Sequence, residues 1–204
     1  MSDDRAGELA ALAAEAAVCT CCPLAQSRTR VVFGVGGPDA DLMLVGEAPG
    51  FHEDQQGEPF VGAAGKLLDR LLGEIGRTRA EVYIANVLKC RPPNNRDPLP
   101  AEIEACSEYL RRQLALIDPK VVLTLGNFAT RLLLKRDAGI SRLRGQVYPW
   151  WNRLLVPTLH PAAVLRGGDG LMEQVRADFA LAHRALAAAT TVADPATEQL
   201  GLFE

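Results

Sequence analysis

No stretch of the 204 residues is apolar for long enough to cross a bilayer, and the opening Met1-Ser2-Asp3-Asp4 lacks the basic start of a secretory leader. A cytoplasmic protein is the expectation. Positive charge is not in excess either: the formal net charge is −3, where nucleic-acid-binding domains are usually basic. That deficit is uneven. Residues 1–15 carry −3 and residues 188–204 another −3, so the body between them stands at +3, with an arginine-rich set at Arg91, Arg96, Arg142, Arg144, Arg153 and Arg166. Lysine is scarce, with only Lys66, Lys89, Lys120 and Lys135, and none lies in a motif that demands a Schiff base. Five cysteines in a reducing compartment are poor material for disulfides and better material for a metal centre.

What is present is an ordered alternation of short apolar strands and helices. Strands are expected at Asp41–Val45, Val82–Asn86, Val121–Leu125 and Leu154–Thr158. Helices are expected at 3–18, Gly62–Gly76, Pro100–Ile117, Phe128–Lys135 and Leu171–Ala188, the second showing Leu67, Leu68, Leu71, Leu72 and Ile75 on one face. All-apolar strands alternating with helices predict an α/β fold, a four-stranded parallel sheet covered on both faces in a three-layer α/β/α sandwich. One domain over 1–188 and a flexible Ala/Thr/Pro-rich tail over 189–204 complete the expected organisation. Gly34-Val35-Gly36-Gly37 imitates a dinucleotide loop, but no helix follows it.

Such a sheet binds ligands at the carboxyl ends of its strands. The polar residues just beyond the four strands are Glu47, Asn86, Asn127 and His160. Cys19 and Cys22 form a C-x2-C pair, and Cys90 and Cys106 follow singly with fifteen residues between them. Four thiolates of this kind suit a [4Fe–4S] cluster or a structural zinc, and the wide second spacing is less typical of zinc fingers. Cys21 is left over as a spare thiol.

The motifs Gly46-Glu47-Ala48-Pro49-Gly50 and Pro157-Thr158-Leu159-His160-Pro161-Ala162-Ala163-Val164-Leu165-Arg166, with the four cysteines and Pro23-Leu24 after Cys22, resemble the family-4 uracil-DNA glycosylases. The resemblance runs from about Cys19 to Arg166 and implies a monofunctional glycosylase. Such an enzyme releases free uracil from single- and double-stranded DNA and leaves an abasic site for base excision repair. It implies a [4Fe–4S] cluster on Cys19, Cys22, Cys90 and Cys106, structural in role and bracing the arginine-bearing loop Cys90–Pro98. It also implies a uracil pocket of Gly46, Glu47, Ala48, Phe60, Asn86 and His160, with Phe60 stacking on the base; on spacing alone Phe60 reads as core.

His160 is expected to donate to uracil O2, where negative charge gathers as the base departs. Asn86 is expected to read N3 and O4 and so reject cytosine. In the better-known family-1 enzymes a Gln stands at the position of Glu47 and a water-activating Asp at that of Ala48. This chain lacks that base, so Glu47 and Asn95 become the candidates for orienting water, and Glu53 for a gate against the thymine methyl. Leu165 is expected as a wedge in the base stack, and Arg166 as a phosphate contact beside some of Arg91, Arg96, Arg142 and Arg144. A related enzyme type bonds covalently to the abasic sugar through a histidine in the arginine loop; Cys90–Pro98 contains none.

The tail Gln199-Leu200-Gly201-Leu202-Phe203 resembles the pentapeptide that binds the bacterial sliding clamp. A monomer is expected. The competing reading is a non-catalytic iron–sulfur DNA-binding module tethered to replication, which leaves Glu47, Asn86 and His160 without purpose.

Overall fold

In the computed structural model, Ser2 to Ala189 are described. In chain order the elements are α1 (Ser2–Ala17), β1 (Val35–Gly36), β2 (Leu42–Gly46), α2 (Phe51–Gln56), α3 (Ala63–Glu74), β3 (Tyr83–Asn86), α4 (Pro100–Ile117) and β4 (Val121–Leu125). They continue as α5 (Asn127–Leu134), α6 (Ile140–Leu143), β5 (Tyr148–Trp150), β6 (Arg153–Thr158), α7 (Pro161–Gly167) and α8 (Asp169–Ala189).

The sheet order is β1-β3-β2-β4-β6-β5. The four expected strands form its parallel centre, in register Gly46 with Asn86 and Leu125 with Thr158 at the carboxyl ends. The expected count is corrected from four strands to six, because β1 and β5 pair antiparallel on the two edges. Both are too short for a period-two pattern, at two and three residues, and β1 lies in the very stretch that imitates a dinucleotide loop.

Alternation along the central strands sorts the core. Leu42 and Leu44 of β2, with Ile84 and Leu123, face the Leu67, Leu68, Leu71 and Leu72 stripe of α3 and Val175, Phe179 and Ala182 of α8. Met43 and Val45, with Tyr83 and Ala85, face Leu110, Leu114 and Ile117 of α4, Leu133 of α5 and Leu9 of α1. Every residue of β2 and β4 is buried, as a strand covered on both faces must be. The three layers are those expected.

A smaller cluster joins α1 to α4 through Leu12, Ala16, Leu24, Leu88, Cys90, Cys106 and Tyr109, with Cys19 and Cys22 against it. The cysteines therefore sit where the N-terminal helix is fastened to the body.

Candidate active site

Three of the four strand-end residues converge. A cleft of about 500 Å³ at the carboxyl end of the sheet is lined by Glu47, Ala48, Asn86 and His160 from the strand ends. Pro49, Gly50, Glu53, Phe60 and Ala64 line it from the α2–α3 side, and Pro92, Asn95, Arg96, Ala162 and Arg166 complete it. Asn127 is elsewhere: its Oδ1 accepts from the Ile140 amide and holds the start of α6.

Gly46 lies behind the wall of the cleft. A Cβ there would meet Asn86 Oδ1 at 2.3 Å and Phe60 Cζ at 2.8 Å, so only glycine lets these two side chains close on the strand end. Phe60 is at once core and cleft wall, buried and with φ +55°. Arg79 holds that left-handed turn, donating to the carbonyls of Pro59 (2.6 Å) and Phe60 (3.3 Å). Gly65 completes the fit from the other side, since a Cβ on it would collide with the Phe60 carbonyl at 1.7 Å. Strain held by several contacts around one aromatic ring is typical of a binding site.

His160 caps α7. Its Nδ1 accepts the Ala162 amide at 3.2 Å, so the proton of the neutral ring sits on Nε2. Burial, with the Arg166 charge nearby, lowers its pKa to about 4, against a smaller pull from Glu53. At neutral pH this histidine is therefore an uncharged Nε2–H donor, its ring 5.7 Å from that of Phe60.

Asn86 is 2% exposed, and its Oδ1 is buried with no hydrogen-bond partner. An orphaned acceptor in a dry wall costs stability unless a ligand satisfies it. Lys89 fixes the same residue from behind, its Nζ donating to the Asn86 carbonyl at 2.7 Å and to Gln113 Oε1 at 2.6 Å. Gln113 in turn donates to the Tyr83 hydroxyl and the Phe33 carbonyl.

Glu47 is half-buried, and burial with the nearby Asp97 charge raises its pKa. Glu53 Oε1 accepts the Val61 amide at 3.1 Å, tying α2 to the Phe60 turn. Asn95 has φ +53°, and its Oδ1 accepts from Arg91 Nε at 2.7 Å.

Leu165 is exposed on α7 beside Arg166, so the expected wedge rides on a short helix instead of a loop. The expected arginine set separates. Arg96 is locked to the buried Glu102, and Arg144 grips the buried Asp178 through Nε and Nη2 at 2.9 and 2.8 Å. Arg153 is itself buried at the opposite end of the sheet, paired with Asp118 at 2.7 Å. The latter two serve the scaffold, because a buried carboxylate or the foot of a strand needs a counter-ion. Sequence reading passed over Lys89 and Arg79, and the one available signal was a lysine wedged between Leu88 and Cys90 in an apolar run.

The four expected cysteines line one small cavity with Cys21, Arg28, Lys89 and Tyr109. All five thiols are free, Cys90 and Cys106 are buried, and Cys21 is exposed. Arg28 Nη1 reaches Cys90 Sγ at 3.4 Å, and the Lys89 amide donates to Cys106 Sγ at 3.2 Å.

Residues 33–183 match the family model described as the uracil DNA glycosylase superfamily. The chain belongs to that family. It is 49% identical to the type-4 uracil-DNA glycosylase of Archaeoglobus fulgidus over 169 residues, 79% of this chain and 84% of the relative. Identity to the type-4 uracil-DNA glycosylase of Thermotoga maritima is 43% over 159 residues, 77% of this chain and 83% of that one. A type-5 uracil-DNA glycosylase of Thermus thermophilus is more distant, at 35% over 52% of this chain and 54% of its own. The matched span of the superfamily takes in the cleft from Gly46 to Arg166. The cysteine pair Cys19 and Cys22 lies ahead of it.

Proposed function

We propose that this chain hydrolyses the N-glycosidic bond of a flipped-out deoxyuridine in DNA, releasing uracil and leaving an abasic site. The observation that carries the reading is the pairing, in one cleft, of the orphaned Asn86 Oδ1 with the neutral Nε2–H of His160. Uracil offers an N3–H to the first and an O2 to the second. Cytosine has no proton on N3, so it leaves Asn86 Oδ1 unpaired at a cost of about 1–3 kcal/mol.

Extrusion of the nucleotide costs a few kcal/mol, which stacking on Phe60 offsets by about 1–3 kcal/mol. As the C1′–N1 bond breaks, its electron pair passes to the base and charge collects at O2, where the His160 donor is preset. One such donor is worth about 10²–10³ in rate. Water adds to C1′ and loses a proton to solvent, and the uracil anion takes one up from solvent, so that neutral uracil and a C1′ hydroxyl result. Glu47 and Asn95, both at the cleft, are the residues we assign to orient that water, and Glu53 is assigned to close the cleft against the thymine methyl. Leu165 holds the gap in the stack, and Arg166 takes a phosphate.

The four cysteines Cys19, Cys22, Cys90 and Cys106 fit a [4Fe–4S] cluster. They line one cavity, and N–H donors from Arg28 and Lys89 already point at two sulfurs. Such a cluster supplies a structural cross-link when bound. The residues then tie α1 to the loop that carries Arg91, Asn95 and Arg96. A reducing cytoplasm keeps the five thiols available. No helix among the described residues is long and apolar enough to cross a membrane.

The enzyme is proposed to act as a monomer on single- and double-stranded DNA. A non-catalytic DNA-binding module gives no reason for an orphaned acceptor beside a pre-tautomerised histidine. The clamp pentapeptide Gln199–Phe203 lies outside the described residues. Its proposed role predicts that deleting 199–204 abolishes binding to a bacterial sliding clamp and spares excision; unchanged clamp binding sinks it.

The decisive experiment uses a labelled strand with one uracil, a thymine control, and alkali treatment after incubation. Strand breaks are expected only after alkali and only at uracil, with His160→Ala slower by about 10²–10³. No breaks with DNA binding retained would overturn the reading.

A further inference from the structure

Among the described residues, large apolar side chains left exposed are few: Val18, Phe51, Leu99, Trp151 and Leu165. Two of them flank the cleft. Leu165 precedes the cleft residue Arg166, and Phe51 follows the cleft residue Gly50. Each is therefore an apolar group at the rim with an arginine beside it, because the Arg91 guanidinium lies 5.1 Å from the centre of the Phe51 ring.

Phe51 is 52% exposed, so packing in the core does not explain it. Its orientation is nonetheless fixed. Arg91 lies over the ring, His52 meets it edge-on at 5.5 Å and 77°, and Arg91 is itself held by Asn95 Oδ1 at 2.7 Å. Asn95 lines the cleft, so the chain of contacts Phe51–Arg91–Asn95 runs from the rim into the site. An aromatic ring held in water by a cation on one side presents its other side as a stacking surface, and nucleobases stack on such a surface with little regard to sequence.

We propose that Phe51 and Arg91 form a second nucleotide subsite, which takes the base next to the flipped uridine on the same strand. This rests on the glycosylase reading above. In a single strand that neighbour has no partner strand to hold it, so a stacking platform at the rim replaces part of the order the duplex would supply. Arg91 is held by Asn95 and forms no ion pair with an acid among the described residues, so its guanidinium is the group assigned to the connecting phosphate. The subsite acts on binding. Its loss should appear in KM and leave kcat alone, which a merely structural defect would not do.

The test compares wild type, Phe51→Ala and Phe51→Trp on single strands with one uracil. The neighbouring positions carry either ordinary bases or, one side at a time, an abasic analogue. With ordinary neighbours, Phe51→Ala should lose about tenfold in kcat/KM through KM, while Phe51→Trp retains wild-type values. On the strand whose stacking neighbour has been removed, wild type should fall to the level of Phe51→Ala, and the substitution should cost nothing more. Equal losses on both strands, or no loss on either, overturn the subsite. Equilibrium binding of the same strands without uracil is measured alongside. It reads the subsite even if wild type releases no uracil, an outcome that would instead overturn the glycosylase reading.

Discussion

A histidine with an ordinary pKa would change charge within the pH range where such an enzyme works; His160 does not. Its Nδ1 is already occupied by the Ala162 amide, and burial holds its pKa down to about 4. Glu47 moves the other way, raised by burial and by Asp97. The two shifts assign the acid limb of the activity profile. If Glu47 orients water as the carboxylate, kcat/KM falls as pH drops through its raised pKa, before His160 protonates. The expected profile has a single acid limb, above the ordinary 4.5 of a glutamate and removed from the ionisation of His160 near 4. Glu47→Gln should lower the plateau and remove that limb. A limb centred near 6.5 that survives Glu47→Gln would return the titration to His160 and sink the assignment. At this scale the sequence was informative about residue type and mute about environment. A histidine after a strand is readable, but its tautomer follows from one backbone amide in α7.

Between strand and helix, the heaviest single contact near the site is one that sequence patterns do not reveal. Asp178 of α8 is 1% exposed and receives Arg144 through two nitrogens and the Thr158 hydroxyl at 2.8 Å. Thr158 ends β6, two residues before His160, so this carboxylate sets where the histidine-bearing strand stops against its covering helix. Asp178→Ala strands a guanidinium and a buried hydroxyl, and should lower the unfolding free energy by about 3–5 kcal/mol in a denaturant titration. Asp178→Asn, which keeps one acceptor, should cost less; a shift within 0.5 kcal/mol for Ala, roughly that of a neutral surface change, would show the pair to be idle. The elements themselves were largely legible. The central strands and α4 follow from apolar runs and from Pro100 at the first turn, and they stand within a residue of their expected bounds. What escaped were β1 and β5, whose two and three residues are set by pairing with β3 and β6 and carry no period of their own. The pairings of Arg144 and Arg153 escaped for a similar reason: an arginine in sequence looks the same whether it meets phosphate or an acid of its own chain.

Across the whole molecule, charge was the misleading quantity and cysteine spacing the informative one. The net charge of −3 says nothing about DNA, because the acidic residues of the two ends mask a basic body. The thiols, separated by up to 87 positions from Cys19 to Cys106, meet at a single cavity where α1 joins α4. Cross-linking Cys19 and Cys22 to Cys90 closes a loop of about seventy residues, which a chain-entropy argument values at about 4 kcal/mol. The same loop contains Glu47, Phe60 and Asn86, so the cross-link constrains the cleft from outside it. Replacing any one of Cys19, Cys22, Cys90 or Cys106 by serine should strip iron and visible absorbance from the protein and lower its stability by an amount of that order. Cys21→Ser should keep both, since Cys21 is exposed and outside the expected ligand set. Iron counted against protein, with circular dichroism melting of each variant, separates the cases. Loss of iron from Cys21→Ser with retention in Cys19→Ser would exchange the two ligands. Stoichiometric zinc with no visible absorbance would replace the cluster by a single ion held on the same four thiols.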